Sequence, residues 1–272
     1  MKFLRRLILC AYRWAYKLAY PRLSAQLKAA YYAESQLFSN FRDTLDYGQN
    51  LPSDLNILHK NWDTFAENNF DPKQPEKFYL SWKKETGLLN IGANIVDQFS
   101  RIELYANFEK YLDPKKSFLD IGCGTAALYW HKSKDITSAT LVDVPNLAKE
   151  YVKFKIDYIS NAQIKLSSPE QLNEFEKHSH DQIMCIDVIE HLKNASELFI
   201  TEIDRILKPG GLLFFQAPFG GGVPEHIPEA LQNWISNGGQ EYFKKNYLKV
   251  ASINCLIELK PHCISGVYKK NH

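Results

Sequence analysis

The chain is poor in cysteine and methionine, with five and two among 272 residues. Cys10, Cys123, Cys185, Cys255 and Cys263 are odd in number, scattered, and never in CxxC spacing. That excludes a disulfide framework and the common zinc motifs, and it points to a reducing, cytoplasmic setting. Long apolar runs are also missing: Leu7 to Tyr12 is cut short by Arg13 and Lys17, far from a secretory core or a membrane span. Bulky Leu9 before Cys10 rules out a lipoprotein cleavage site, which needs a small residue there. No repeat and no low-complexity linker occurs. A hydrophobic content of 45% excludes a disordered acidic tail, and a chain of this length can bury a core without covalent staples.

Acid is absent from one end. The first 33 residues carry Lys2, Arg5, Arg6, Arg13, Lys17, Arg22 and Lys28 and no Asp or Glu, whereas the remainder has 26 Lys and Arg against 31 Asp and Glu, a net of −5. A mildly acidic body makes nucleic acid an unsuitable partner. On a helix, Lys2, Arg6, Arg13 and Lys17 fall within roughly a 60° arc, with Phe3, Leu7, Trp14 and Leu18 elsewhere. Two readings stay open for residues 1–20: a helix that docks on its own domain or a second subunit, and a peripheral contact with a membrane surface.

Three segments follow: a basic amphipathic helix over residues 1–23, a helical cap or substrate region over 24–112, and an α/β domain over 113–272. In the second, breaks at Leu51 to Asp54 and Asp71 to Pro75 separate short helices rich in aromatics, most of them core and some free to line a pocket. The spacing of Ile95, Val96, Phe99, Ile102 and Ala106 predicts one helix over Gly92 to Tyr111. From Ser117 onward, apolar runs alternate with helical patterns. Strands are predicted at Ser117–Ile121, Ala139–Val142, Gln163–Leu166, Gln182–Ile186 and Leu212–Gln216, with two more at Lys249–Leu259 and His262–Tyr268. Such alternation means a parallel sheet with crossover helices.

The first of these strands runs into Gly122-Cys123-Gly124-Thr125 ahead of a helical pattern, which marks a ligand-binding sheet edge. Asp143, at the end of the next strand, can accept both hydroxyls of a ribose. Further on come Asp187-Val188-Ile189-Glu190-His191, then Leu207-Lys208-Pro209-Gly210-Gly211. The order and spacing of these four signatures resemble the class I S-adenosylmethionine-dependent methyltransferases over roughly residues 112–218. The resemblance implies a Rossmann-like, seven-stranded, mostly parallel sheet with one late antiparallel strand, carrying an N-terminal helical cap. It also implies S-adenosyl-L-methionine as cofactor, with its methionyl part against Gly122, Cys123 and Gly124 and with Asp120 supporting the turn. Asp143 would hold the ribose, Val144 would pack on the adenine, and Ile186 and Asp187 would line the methionyl side. Ser167 and Ser168 stand where many relatives place an acid for the adenine amine.

The acceptor side is read from Asp187, Glu190, His191 and the loop Ala217 to His226. Its three glycines permit movement, Phe219 could cover an acceptor, and His226 could act as a general base beside His191 and Asp187. An ordinary loop with a solvated histidine is the competing reading. Asp187, Glu190, His191 and His226 could together hold a divalent metal such as magnesium, as similar segments do in metal-dependent RNA 2′-hydroxyl methyltransferases. The leading expectation is an enzyme acting on an O or N atom of a small-molecule or lipid- or quinone-like acceptor. The alternatives are a metal-dependent RNA 2′-O-methyltransferase and a noncatalytic scaffold docking through its N-terminal helix.

Overall fold

The structure is a computed structural model that describes residues 21–99, 101–127, 136, 138–159, 164–219, 225–253 and 262–271. Residues 1–20 of the expected basic helix, residues 128–135 of the helix expected after Thr125 and the glycines at 220–222 lie outside the described residues. Helices α1 (Pro21–Asp43), α2 (Leu55–Asn69), α3 (Pro75–Leu80), α4 (Lys84–Phe99) and α5 (Ile102–Tyr111) come first. Both predicted proline-containing breaks are turns. Pro75 sits in the first turn of α3, where a missing N–H costs nothing, and the Asp54 side chain caps α2 by accepting from Asn56 N.

One expectation is corrected: Gly92 to Tyr111 is not one helix. It divides between α4 and α5, and Arg101 adopts a non-helical conformation (φ −97°, ψ 60°) ahead of α5. The apolar periodicity continues across the break because both helices bury the same kind of face. Periodicity alone therefore could not reveal the change of direction.

Seven strands follow: β1 (Phe118–Ile121), β2 (Ala139–Val142), β3 (Ile164–Ser167), β4 (His180–Ile186), β5 (Leu207–Ala217), β6 (Tyr247–Ala251) and β7 (Ile264–Lys270). They form one sheet in the order β3-β2-β1-β4-β5-β7-β6, parallel from β3 through β5, with β7 antiparallel to both of its neighbours. The predicted Rossmann-like sheet is present. α6 (Leu147–Ile159) crosses over between β2 and β3, while α7 (Pro228–Ser236) and α8 (Gly239–Asn246) lead into β6.

Side chains alternate across the pleat, so the central strands feed two cores. Leu119, Ile121, Ile183, Cys185, Leu213 and Phe215 pack with Phe199, Trp234 and Phe243 on one face. Phe118, Leu141, Met184, Phe214 and Val267 pack with α5 and with Leu23 and Leu27 of α1 on the other. A third cluster joins α1, α2 and α4 to Leu147, Ala148 and Tyr151 of α6, so the helical layer is seated on the sheet domain.

A buried ion pair pins this junction. The Lys155 ammonium on α6 lies 2.6 Å from Glu34 Oε1 on α1, both side chains essentially inaccessible. It also donates to the Thr125 carbonyl at 2.8 Å, and the Tyr151 hydroxyl donates to Glu34 at 2.8 Å. Burial pulls the lysine below its ordinary range and the Glu34 charge pushes it back. Removing one member strands a buried charge, which costs about 3–5 kcal/mol, whereas replacing both by apolar groups is often neutral. Lys155→Met should therefore lower the unfolding free energy by about 3 kcal/mol in urea titration, and Lys155→Met with Glu34→Leu should recover most of it. A single variant as stable as the parent would contradict this role.

Candidate active site

The turn after β1 is shaped by two glycines in the left-handed region, Gly122 at φ +70° and Gly124 at φ +54°. A Cβ on Gly122 would lie 2.4 Å from Val188 Cγ2, so the position has neither the backbone freedom nor the space for a side chain. Side chains from three directions satisfy the turn's backbone. Gly124 N donates to Asp143 Oδ2 at 2.7 Å, Ala127 N donates to Gln98 Oε1 at 3.1 Å, and the Thr125 carbonyl accepts from Lys155.

The turn borders a cavity of about 1000 Å³ over the C-terminal ends of β1, β2, β4 and β5. Of the residues expected to contact the cofactor, Gly122, Gly124, Asp143, Val144 and Asp187 line it, and so do His191 and His226. Asp120, Cys123, Ile186 and Ser168 are not on its wall. Asp120 and Cys123 are buried behind the turn, and Ser168 Oγ accepts from Lys149 Nζ at 2.5 Å. Burial, reinforced by the charge of Asp143, raises the Asp120 carboxyl well above the usual carboxylate range. Asp143 is pushed up to about 6 by burial, which the N–H donors of Gly124 and Val144 only partly offset.

Asp187 occupies the left-handed region at φ +56° and is held on both oxygens. Arg101 Nη1 lies 2.6 Å from its Oδ2, and Gln216 Nε2 donates to its Oδ1 at 2.7 Å. Burial works against the Arg101 charge, but the Asp187 carboxylate together with the charges of Asp97 and Glu190 outweighs it and holds the guanidinium above its ordinary range. Arg101 carried no recognisable signal in the sequence, because it sits inside what reads as a continuous helix.

Glu190, His191 and His226 come together, their ligand-type atoms all within 4.8 Å of one another. Glu190 is fully buried, and its Oε1 lies 3.7 Å from His191 Nε2 and 3.8 Å from His226 Nε2. Neither Glu190 oxygen has a hydrogen-bond partner among the described residues, and burial pushes its carboxyl well above the usual range, with the charge of Asp187 adding to the rise. The His191 Nδ1 lies 2.8 Å from the Glu225 carbonyl, which makes it the protonated nitrogen and leaves Nε2 with a lone pair. Burial lowers the His191 pKa, which favours that neutral form. This donor set could hold a cation. Asp187 does not join it, because its oxygens are already committed to Arg101 and Gln216.

Phe219 is a second correction: it is 1% exposed and stacks on Trp234 with ring centroids 5.7 Å apart, so it belongs to the core and does not cover the cavity. The aromatic wall comes from the helical layer instead. Trp62, Tyr79 and Trp82 line the cavity, with Trp62 and Tyr79 each 5.0 Å from Trp82 in edge-to-face contact.

Residues 119–215 match the family described as "Methyltransferase domain". A human thiol S-methyltransferase is 25% identical over 136 residues, covering 48% of this chain and 52% of that protein. The ubiquinone biosynthesis O-methyltransferase of Rickettsia akari is 25% identical over 204 residues, covering 68% of this chain and 76% of its own length. A solved S-adenosylmethionine-dependent methyltransferase of Aquifex aeolicus superposes with a TM-score of 0.45 at 18% identity, covering 74% of this chain and 98% of its own. The chain thus spans about half the length of its human relative. The glycine turn after β1 and the acid after β2 both fall inside the matched segment, which runs from β1 to β5, so the chain carries a methyltransferase domain over residues 119–215.

The Gly122 geometry makes a direct prediction. Gly122→Ala should cost about 2 kcal/mol in urea unfolding, from the left-handed backbone together with the Val188 overlap. Adding Val188→Ala should restore only the steric part. Full recovery in the double variant would show that the backbone conformation contributes nothing.

Proposed function

We propose that this chain transfers a methyl group from S-adenosylmethionine to an O or N atom of a small organic acceptor. The observation that carries this reading is the continuity of one cavity from Gly122, Gly124 and Asp143 to the aromatic wall of Trp62, Tyr79 and Trp82. A sulfonium already bears an activated methyl, so the protein needs chiefly to align acceptor, methyl and sulfur in line and to exclude water. In this reading Asp143 accepts from the ribose hydroxyls, the backbone at Gly122 and Gly124 approaches the methionyl part, and Val144 packs on the base. Asp187 acts as a positioning residue. Fixed between Arg101 and Gln216, it sets the loop that carries Glu190 and His191, and it does not serve as a free base. His226 faces the acceptor side as the candidate proton acceptor. The relatives act at oxygen, nitrogen and sulfur, in keeping with an alignment mechanism that does not depend on one acceptor atom. An acidic cavity wall weighs against an RNA acceptor.

The ribose assignment has a pH signature. A hydroxyl donates to the carboxylate and not to its acid form, so ligand binding favours deprotonated Asp143. With that group at about 6 in the free protein, affinity for S-adenosylhomocysteine is retained above pH 7 and falls as pH drops through 6, by up to about tenfold per unit. Calorimetry between pH 5 and 7.5 should show this slope, and Asp143→Asn should bind weakly with a flat profile. An equal slope in the variant would remove Asp143 from the ribose site.

A second reading is favoured by the unpartnered Glu190 carboxylate: a divalent ion held by Glu190, His191 and His226, which would polarise an acceptor hydroxyl. On that reading Mn²⁺ binds the chain in calorimetry and Glu190→Gln abolishes the binding. Undiminished Mn²⁺ affinity in the variant would place any ion elsewhere.

A further inference from the structure

The two ends of the cavity differ in charge balance. On the acceptor side, Asp63 and Glu67 of α2, Asp97 of α4 and Glu225 ahead of α7 all line the wall. Among the described residues, the only lysine or arginine in the lining is Arg101, which already pairs with Asp187. His59 supplies one further group behind the rim, 3.3 Å from Asp97 and 3.7 Å from Asp63. An acceptor bearing a carboxylate or phosphate would bring a like charge toward four others, whereas a cation would be drawn in.

Two further features favour a cation, and neither depends on the rim acids. Trp62, Tyr79 and Trp82 meet edge to face, an arrangement that turns ring faces in different directions around the cavity, as is suited to an ammonium group. Glu190, 0% exposed and without a hydrogen-bond partner on either oxygen, lies against the Nε2 atoms of two histidines that line the same cavity. A buried carboxylate left without partners is costly unless a positive group completes it.

Building on the methyltransferase reading above, we propose that the acceptor is a cationic amine with an apolar or aromatic body, and that its nitrogen receives the methyl. The apolar body would rest on Trp62, Tyr79 and Trp82, while Asp63, Glu67 and Glu225 draw the ammonium inward toward Glu190. For transfer, the ammonium first loses one proton to bulk water through the cavity mouth. The nitrogen lone pair then forms the N–C bond as the C–S bond breaks, and the electron pair of that bond stays on sulfur. The products are a methylated ammonium and the neutral thioether S-adenosylhomocysteine, so after the proton has left, the single positive charge of the reacting atoms passes from sulfur to nitrogen and the acidic pocket holds a cation again.

The test is calorimetry on the full chain saturated with S-adenosylhomocysteine, using benzyltrimethylammonium as an unreactive cation, benzyl alcohol as a neutral probe and phenylacetate as an anion. The cation should bind at least about tenfold more tightly than the neutral probe, and the anion should not bind measurably. Asp63→Asn, Glu67→Gln and Glu225→Gln combined should weaken the cation about tenfold and leave the affinity for S-adenosylhomocysteine unchanged. Equal binding of cation and neutral probe, or a triple variant with undiminished cation affinity, would overturn the amine proposal alone. So would Mn²⁺ binding that depends on Glu190 and displaces the organic cation. A chain that fails to bind S-adenosylhomocysteine in the first step would overturn the methyltransferase reading itself, a result distinct from the others.

Discussion

The turn after β1 is the constraint on which the rest of the site depends. A glycine turn that leaves backbone groups pointing inward must have them satisfied by partners. Here the partners are the Asp143 carboxylate on Gly124 N, the Gln98 amide on Ala127 N and the Lys155 ammonium on the Thr125 carbonyl. Only the first comes from a neighbouring strand end. Gln98 belongs to α4, and Lys155 is held by Glu34 of α1. The turn is therefore built jointly by the sheet domain and the helices ahead of it, and the helical layer is structurally part of the candidate site.

The acids around the cavity meet three different fates, and environment decides among them. Asp187 is held on both oxygens, by Arg101 on one and Gln216 on the other. Burial pushes the Asp120 and Glu190 carboxyls well above the usual range, and for Glu190 the charge of Arg101 only partly offsets it. Asp143 falls between these limits, buried but supported by two backbone donors, and so titrates near 6. Carboxylic acids a short distance apart at one sheet edge thus become a structural anchor, two groups whose charged form needs a positive partner and a pH-responsive contact.

Much of this was legible in the sequence where the signal was local. Strand positions follow from apolar runs, and the ends of β2 are placed correctly because the run Ala139 to Val142 is bounded on both sides by polar or turn-forming residues. Gly122, Gly124 and Asp143 are legible because chain order alone puts them at adjacent strand ends. The break at Arg101 and the burial of Phe219 were not. Both depend on what a distant segment offers, Asp187 in the first case and Trp234 in the second. The separation of Asp187 from Glu190, His191 and His226 was hidden for the same reason, since four ligand-type residues look equivalent until one of them is found to be occupied.

The sequence by itself therefore determined the class of fold, the position of the cofactor turn and the identity of the acid that follows β2, because each is encoded by neighbours a few residues apart. Tertiary structure decided which carboxylates remain charged, which aromatics face the cavity and which helices brace the turn. Those outcomes rest on desolvation and on pairings between residues as far apart in the chain as Glu34 and Lys155, and no local pattern records them.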